Sequence, residues 1–170
     1  MSRSCFDGVS AYPEACVVWV DAHADINTLE TTGSGGFPQI IFLFGVSSHR
    51  MHIGNIHGMP VSFLLGIGTK FDEFSWCKPL LKPERIVYIG LRDVDAGEKR
   101  NLKQQNIKAF SMHEVDRYGI GKVVEMALDH VNPNRDRPIH LSFDVDALDP
   151  TVAPSTGTPV RIHAAPCFRP

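Results

Sequence analysis

The chain has 170 residues, a length typical of one compact domain, so a second full domain is not expected. Apolar residues make up 43% and charged residues 21%, a composition that supports a buried core and differs from that of disordered chains. The formal net charge of -2 gives no general attraction for nucleic acids or anionic lipids, and no apolar run approaches the ~20 residues of a membrane-spanning helix.

The first predicted strand is Cys16–Val20, a run of β-branched and aromatic residues. Residues 36–53 contain no acidic residue and surround an apolar run with no following signal for a helix or strand. We interpret this segment as an inserted loop, with a buried strand as the alternative. A helix is predicted to begin near Pro60, because proline is favoured in a first turn and apolar residues follow at helical spacing.

Strands and helices alternate through the rest of the sequence. Strands are predicted at 85–91, at 108–112 and at 139–145, and helices at 98–105 and Ile120–Val131. The run Cys16–Val20 is continuously apolar, which is typical of a strand buried on both faces. We interpret 85–91 and 139–145 as repeats of that pattern and 108–112 as a weaker candidate. The alternation predicts an α/β fold of three layers, with a mainly parallel central sheet between helices.

Acidic residues follow two of these strands. Asp21, His23 and Asp25 alternate after the first strand, and Asp144 and Asp146 do so at the last. In an extended backbone, alternate side chains point to the same side. Because ligand sites in open α/β sheets lie beyond the carboxyl ends of the strands, the two groups are expected to face one crevice.

The composition of these two groups favours a metal site. An isolated Asp-x-Asp is usually a solvated loop, but carboxylates gathered in one crevice repel one another unless a cation compensates them. Carboxylate oxygens and one imidazole suit Mn²⁺ or a similar divalent ion, and two ions could share bridging carboxylates and activate water. A metal-dependent phosphatase is an alternative, although the sequence has no Gly-rich phosphate loop.

Four motifs together resemble the arginases of the ureohydrolase family. They are VVWVDAHADINT from residue 17, GNIHGMPVSFLL from residue 54, IVYIGLRDVD from residue 86 and HLSFDVDALDP from residue 140. The resemblance covers residues 16–35 and 54–160. It implies the arginase fold and a binuclear manganese enzyme that hydrolyses L-arginine to L-ornithine and urea through a hydroxide bridging the two metals. It also implies a homotrimer.

The resemblance assigns metal-binding roles to the two acidic groups. Asp21 and Asp144 match the carboxylates that bridge the two manganese ions. His23 and Asp146 match ligands of one ion, and Asp25 matches a ligand of the other and is counted among the catalytic residues.

Further matches concern catalysis and substrate recognition. His57 matches the proton-shuttle histidine of the family. Asn27 and Ser34 match groups that recognise the α-carboxylate of the substrate, and Asp95 matches the contact to its α-amino group. Thr158 lies in a segment that matches the active-site loop.

Three departures from the family pattern lead us to expect reduced activity. No histidine precedes His23, so the site that uses Asp25 lacks a ligand and is expected to bind its manganese weakly. Residues 36–53 interrupt a loop that is continuous in arginases, and residues 161–170 form a divergent tail without the family's guanidinium-contacting glutamate. The resemblance thus implies an incomplete fold and a sequence that, relative to arginases, is truncated at both ends.

Two other functions are compatible with the sequence. One is an agmatinase-like amidinohydrolase, and the other is a non-catalytic arginase remnant that associates with full-length subunits. We expect one domain over residues 1–170, with no nucleic-acid or membrane partner. The cysteines are scattered and no secretory leader is recognisable, which favours the cytoplasm, or mitochondria if a targeting segment is missing from this sequence.

Overall fold

The computed structural model describes residues 2–32, 56–69 and 74–162. Its centre is a parallel sheet of four strands in the order β3-β2-β1-β4. The strands are β1 Cys16–Val20, β2 Ile86–Leu91, β3 Lys108–Ser111 and β4 Ile139–Phe143. The α-helices are α1 Ser2–Ala11, α2 Pro60–Leu65, α3 Ala96–Gln104, α4 Met112–Tyr118 and α5 Ile120–Val131. Short 3-10 turns lie at Ile56–Gly58, Pro83–Arg85 and Val145–Ala147.

Helices cover both faces of the central strands. On one face, Trp19 of β1 and Tyr88 of β2 are fully buried in a cluster that includes Val9 of α1 and Leu64 of α2. On the other face, the neighbouring residues of β1 and β2 pack against Val123, Ala127 and Val131, the buried stripe of α5. This arrangement confirms the predicted α/β fold with a parallel sheet between helical layers.

The last strand differs from the prediction. Residues 139–145 were expected to be buried on both faces, but β4 lies at one edge of the sheet that the structure describes, and Ile139, Leu141 and Phe143 are 41%, 58% and 50% exposed. Their register partners on β1 lie beneath α5, which does not extend over β4. Residues 139–143 alternate apolar and polar side chains, which is typical of a strand covered on one face, and the expectation of burial on both faces was therefore wrong.

The other boundaries lie within two residues of the prediction, while α1 and α4 were not predicted. The proposed insertion at 36–53 lies outside the described residues, as does all of the tail at 161–170 except its first two positions. None of the helices that the structure describes has the length and apolar character needed to span a membrane.

Candidate metal centre

An open crevice of about 370 Å³ lies beyond the carboxyl ends of β1, β2 and β4. Every site residue predicted from the sequence lines it except Ser34, which lies outside the described residues. The residues it brings together are Asp21, His23, Asp25, Asn27, His57, Asp95, Asp144, Asp146 and Thr158. The parallel sheet therefore gathers motifs that are up to 137 positions apart in the sequence.

Asp21, His23 and Asp146 form the compact centre of the crevice. Each offers one ligand atom, and these atoms lie within 4.8 Å of one another. The Nδ1 atom of His23 lies 3.1 Å from an Asp146 oxygen and 3.5 Å from an Asp21 oxygen. Both carboxylates are buried, whereas the imidazole is 23% exposed. One imidazole and two carboxylates are a ligand set that suits a divalent transition metal.

Hydrogen bonds fix the Asp21 carboxylate in the centre. Its Oδ1 atom accepts a hydrogen bond of 2.8 Å from the main-chain N–H of His23. Its Oδ2 atom accepts one of 3.1 Å from the indole N–H of the fully buried Trp19. Both oxygens are therefore held in place by the chain itself, as expected of a metal ligand with outer partners.

The second acidic group is held against the first by main-chain contacts. Asp144 donates its N–H to the carbonyl of Val20 at 2.9 Å, and its side chain accepts from the N–H of Asp146 at 3.0 Å. Asp146 accepts from the N–H of Ala22 at 3.3 Å and from the hydroxyl of Thr158 at 2.7 Å. The adjacent positions of β1 and β4 in the sheet make this approach possible.

The local backbone differs from the extended comb that we inferred. The chain bends at residues 21–23, and Asp25 has a left-handed backbone with φ of 51°. Asp144 caps a 3-10 turn instead of continuing β4. The predicted convergence of the side chains is real. Its cause, however, is a set of short turns capped by carboxylates. The alternation of an extended strand, which we inferred from the sequence, was the wrong reason.

Asp25 and Asp144 line the same crevice but do not belong to the three-residue centre. Their assignment as metal ligands stays a prediction. Asp25 lies at a point where the main chain is fixed, because its carbonyl accepts a hydrogen bond of 3.0 Å from Val61 at the start of α2.

The electrostatics of the crevice favour a cation. Burial raises the pKa of Asp21 above its usual range. Burial and the nearby Asp21 carboxylate raise the pKa of Asp25 to about 8. The hydrogen bond with Asp21 raises the pKa of His23 to about 9, although burial acts in the opposite direction. These shifts are those of carboxylates crowded in a partly desolvated site, and a divalent cation would compensate the crowding. The residues present therefore fit a metal ion.

A second group of polar side chains lies beside the metal centre. The Asn27 amide donates a hydrogen bond of 2.7 Å to the Asp95 carboxylate and accepts one of 2.9 Å from Thr31. Asn101 of α3 supports this loop by donating to Ile26 at 2.8 Å. Partial burial would raise the pKa of Asp95, but hydrogen bonds from α3 and Asn27 outweigh it and lower that pKa. Two of the residues assigned to substrate recognition, Asn27 and Asp95, are thus fixed against each other, with Asp95 ionised.

His57 reaches the crevice from a separate segment. It lies in the turn Ile56–Gly58 and is exposed. The carbonyl of Gly58 accepts a hydrogen bond of 2.9 Å from the N–H of Asn27, which attaches this turn to the loop after β1. His57 is therefore placed at the mouth of the crevice, between the metal centre and solvent.

Sequence reasoning missed several residues of the site. Glu98 is buried, lines the crevice and pairs with Asp95 in a capping box at the start of α3. The spacing Asp-x-x-Glu is a recognisable signal for such a cap and could have revealed it. Asp93 lies 3.5 Å from Nε2 of His23. No sequence signal pointed to Trp19 as a partner of Asp21, because a buried strand tryptophan is by default a core residue.

Comparison with known proteins identifies relatives of this site. A family model described as the arginase family matches residues 2–162. The chain is 67% identical over 155 residues to an arginase of Glaciozyma antarctica and 59% identical over 152 residues to one of Neurospora crassa. These matches cover 89% and 87% of this chain but 39% and 37% of the relatives, so the chain spans about two fifths of their length.

Solved structures agree with this relationship. The crystal structure of the cold-adapted Glaciozyma antarctica arginase matches with a TM-score of 0.68 and 65% identity, covering 84% of this chain and 45% of that one. The Entamoeba histolytica arginase in complex with L-ornithine matches with a TM-score of 0.72 and 33% identity, covering 95% of this chain and 48% of that one.

Proposed function

Because this chain belongs to the arginase family, we propose that its crevice binds divalent metal and hydrolyses the guanidinium group of L-arginine, releasing urea and L-ornithine. The observation that carries the proposal is the approach of Asp21, His23 and Asp146, whose ligand atoms lie within 4.8 Å of one another. The L-ornithine complex of the Entamoeba histolytica relative supports L-ornithine as a product of the proposed reaction.

The proposed metal is manganese, with the first ion held by Asp21, His23 and Asp146. Asp25 and Asp144 supply further carboxylates from the same crevice. When bound, such ions lower the pKa of coordinated water and so supply a nucleophile near neutral pH. The first ion is expected to bind more tightly than a second, because Asp25 lies outside the compact centre.

The remaining residues bind and orient the substrate. Asp95 is ionised, and a carboxylate in this state attracts the α-amino cation of an amino acid. Asn27 offers its amide beside Asp95 and is proposed to contact the α-carboxylate. His57 is exposed at the mouth of the crevice, where its imidazole can exchange a proton with solvent. Thr158 holds the Asp146 carboxylate through its hydroxyl.

The proposal is tested by measuring Mn²⁺ binding and urea release with the full chain. Wild type is expected to bind Mn²⁺, and D146N is expected to lower the affinity at least about tenfold, as loss of a metal ligand should exceed loss of an outer partner. D116N on the exposed surface of α4 is the matched control and should bind as wild type does.

The substrate assignment is tested by comparing arginine with agmatine. Arginine should be preferred, and N27A should reduce that preference, because agmatine has no α-carboxylate for Asn27 to contact. A preference for agmatine would favour the agmatinase-like alternative. Tight Mn²⁺ binding without urea release from either compound would favour a non-catalytic role, and an absence of Mn²⁺ binding would contradict the metal centre itself.

A further inference from the structure

Arg92 makes an unusual set of contacts next to the metal centre. It follows β2 directly, and its main-chain N–H donates to the carbonyl of Ala22 at 3.0 Å, between the ligands Asp21 and His23. Its side chain is half-buried. Within the part of the chain that the structure describes, every hydrogen bond of its guanidinium ends on a main-chain carbonyl and none ends on a carboxylate.

One of these carbonyls is that of Gly90 in β2, which accepts from Nη1 at 3.4 Å, and the others belong to two separate stretches of chain. Nη2 donates to Asp146 at 2.5 Å and Leu148 at 3.3 Å, and Nη1 donates to Ala147 at 3.1 Å. Nη2 and Nε also donate to the carbonyl of Val160, at 2.8 and 3.3 Å. One guanidinium therefore joins both ends of the segment 146–160 to the end of β2.

Both ends of this segment carry groups of the site. Asp146 is a member of the three-residue centre, and Thr158, two positions before Val160, donates its hydroxyl to the Asp146 carboxylate at 2.7 Å. Arg92 contacts neither side chain. It holds the main chain at Asp146 and close to Thr158, and so fixes the backbone positions from which these two side chains reach the crevice.

We propose that Arg92 is a positioning residue that clips the segment 146–160 to β2 and thereby sets the position of Asp146 and Thr158 in the metal centre. A guanidinium suits this task because its planar fork carries five donors, whereas a lysine ammonium has three donors on one nitrogen. If only the positive charge beside the carboxylates mattered, a lysine at position 92 would position Asp146 and Thr158 equally well. The proposal rests on the proposed function only for its metal-binding consequence.

The test compares wild type, R92K and the control R117K, which makes the same exchange at an exposed position of α4. Hydrogen exchange of the backbone amides in 146–162 is measured in the metal-free chain. The Mn²⁺ dissociation constant is measured by electron paramagnetic resonance at a temperature where all three chains are folded. R92K should exchange faster in 146–162 and bind Mn²⁺ about 10–100-fold more weakly, the usual effect of losing an outer partner. R117K should match wild type in both.

Each other outcome is decisive. If R92K matches wild type in exchange and in Mn²⁺ affinity, the proposal is overturned, even when its melting temperature falls, because only a general effect on stability then remains. If wild type binds no Mn²⁺, the proposed metal centre fails, while the exchange comparison still decides whether Arg92 holds the segment. If R92K does not fold, nitrogen-15 relaxation of Arg92 in wild type decides: slow rotation of its Nη groups supports the clip, and free rotation overturns it.

Discussion

At the scale of single residues, Trp19 links the core of the fold to the metal centre. It is fully buried, packs edge-on against Tyr88 and donates its indole N–H to Asp21. W19F keeps an aromatic ring but removes that donor. We expect about 10–100-fold weaker Mn²⁺ binding and a loss of up to about 3 kcal/mol in the free energy of unfolding. W76F, at a residue that is 68% exposed, is the matched control. If W19F bound Mn²⁺ with wild-type affinity, the indole N–H would not contribute to metal binding and Trp19 would act only in core packing.

His140 gives the stability of the chain a defined pH dependence. It lies on β4 opposite Gly8 of α1, and burial lowers its pKa. The unfolded chain binds a proton to this histidine near pH 6.5, more readily than the folded chain does. The contribution of neutral His140 is therefore present above about pH 6.5 and is lost as the pH falls below it. In urea unfolding, wild type should lose more stability than H140Q between pH 7.5 and 5.5, whereas H113Q on α4 should behave as wild type.

At the scale of elements, α3 approaches the loop after β1 so closely that only glycine fits at position 97. A Cβ atom there would lie 2.5 Å from the carbonyl of Thr31 and 2.8 Å from the side chain of Asn27. We expect G97A to lower the free energy of unfolding by about 1–3 kcal/mol, as overpacking does. Nothing lies within 4 Å of a Cβ atom at Gly121 in α5, so G121A should raise stability by up to about 1 kcal/mol. If urea titrations showed that G97A and G121A change the free energy of unfolding in the same direction, this interpretation of the packing would be contradicted.

The elements also show what local sequence can and cannot predict. The central strands β1 and β2 were recognisable because short runs rich in β-branched and aromatic residues are typical of buried strands, and the 3.6-residue pattern of α5 matches its buried stripe. The helix α4 was missed because it has only seven residues and none of them is fully buried, so its apolar pattern is short and weak. The capping box of Ser111 and Glu114 was a signal that could have revealed its start. The position of β4 at an edge of the described sheet depends on the order of strands, which local periodicity does not encode.

At the scale of the whole molecule, the sequence predicted those parts of the site that depend only on the direction of the strands in the sheet. Asp21 and Asp146 meet because parallel strands place their carboxyl ends on one side, which the sequence pattern already indicated. The pairing of Asn27 with Asp95 and the clip formed by Arg92 depend on side-chain geometry across three elements, and no spacing in the sequence specifies it. The roles of ligands and substrate contacts came from family resemblance and not from spacing.

The edge of the sheet at β4 is expected to promote self-association of the chain. β4 carries a row of exposed apolar side chains on one face, and within the described residues its outer edge has no neighbouring strand. Open edges and apolar faces of this kind promote association between copies of a chain. We expect wild type to self-associate at micromolar concentration. L141K should shift it towards the monomer, because a charge on an edge strand opposes both face packing and edge pairing.

Sedimentation velocity over a concentration series measures this effect. Y12K is the control, because Tyr12 is 61% exposed and lies after α1, outside the apolar row of β4. It adds the same charge as L141K, so a difference between the two variants isolates the contribution of the edge strand from that of net charge. Equal association of wild type and L141K would mean that the apolar row on β4 is not the contact, and a monomeric wild type would show that the exposed row is too small to hold two copies together.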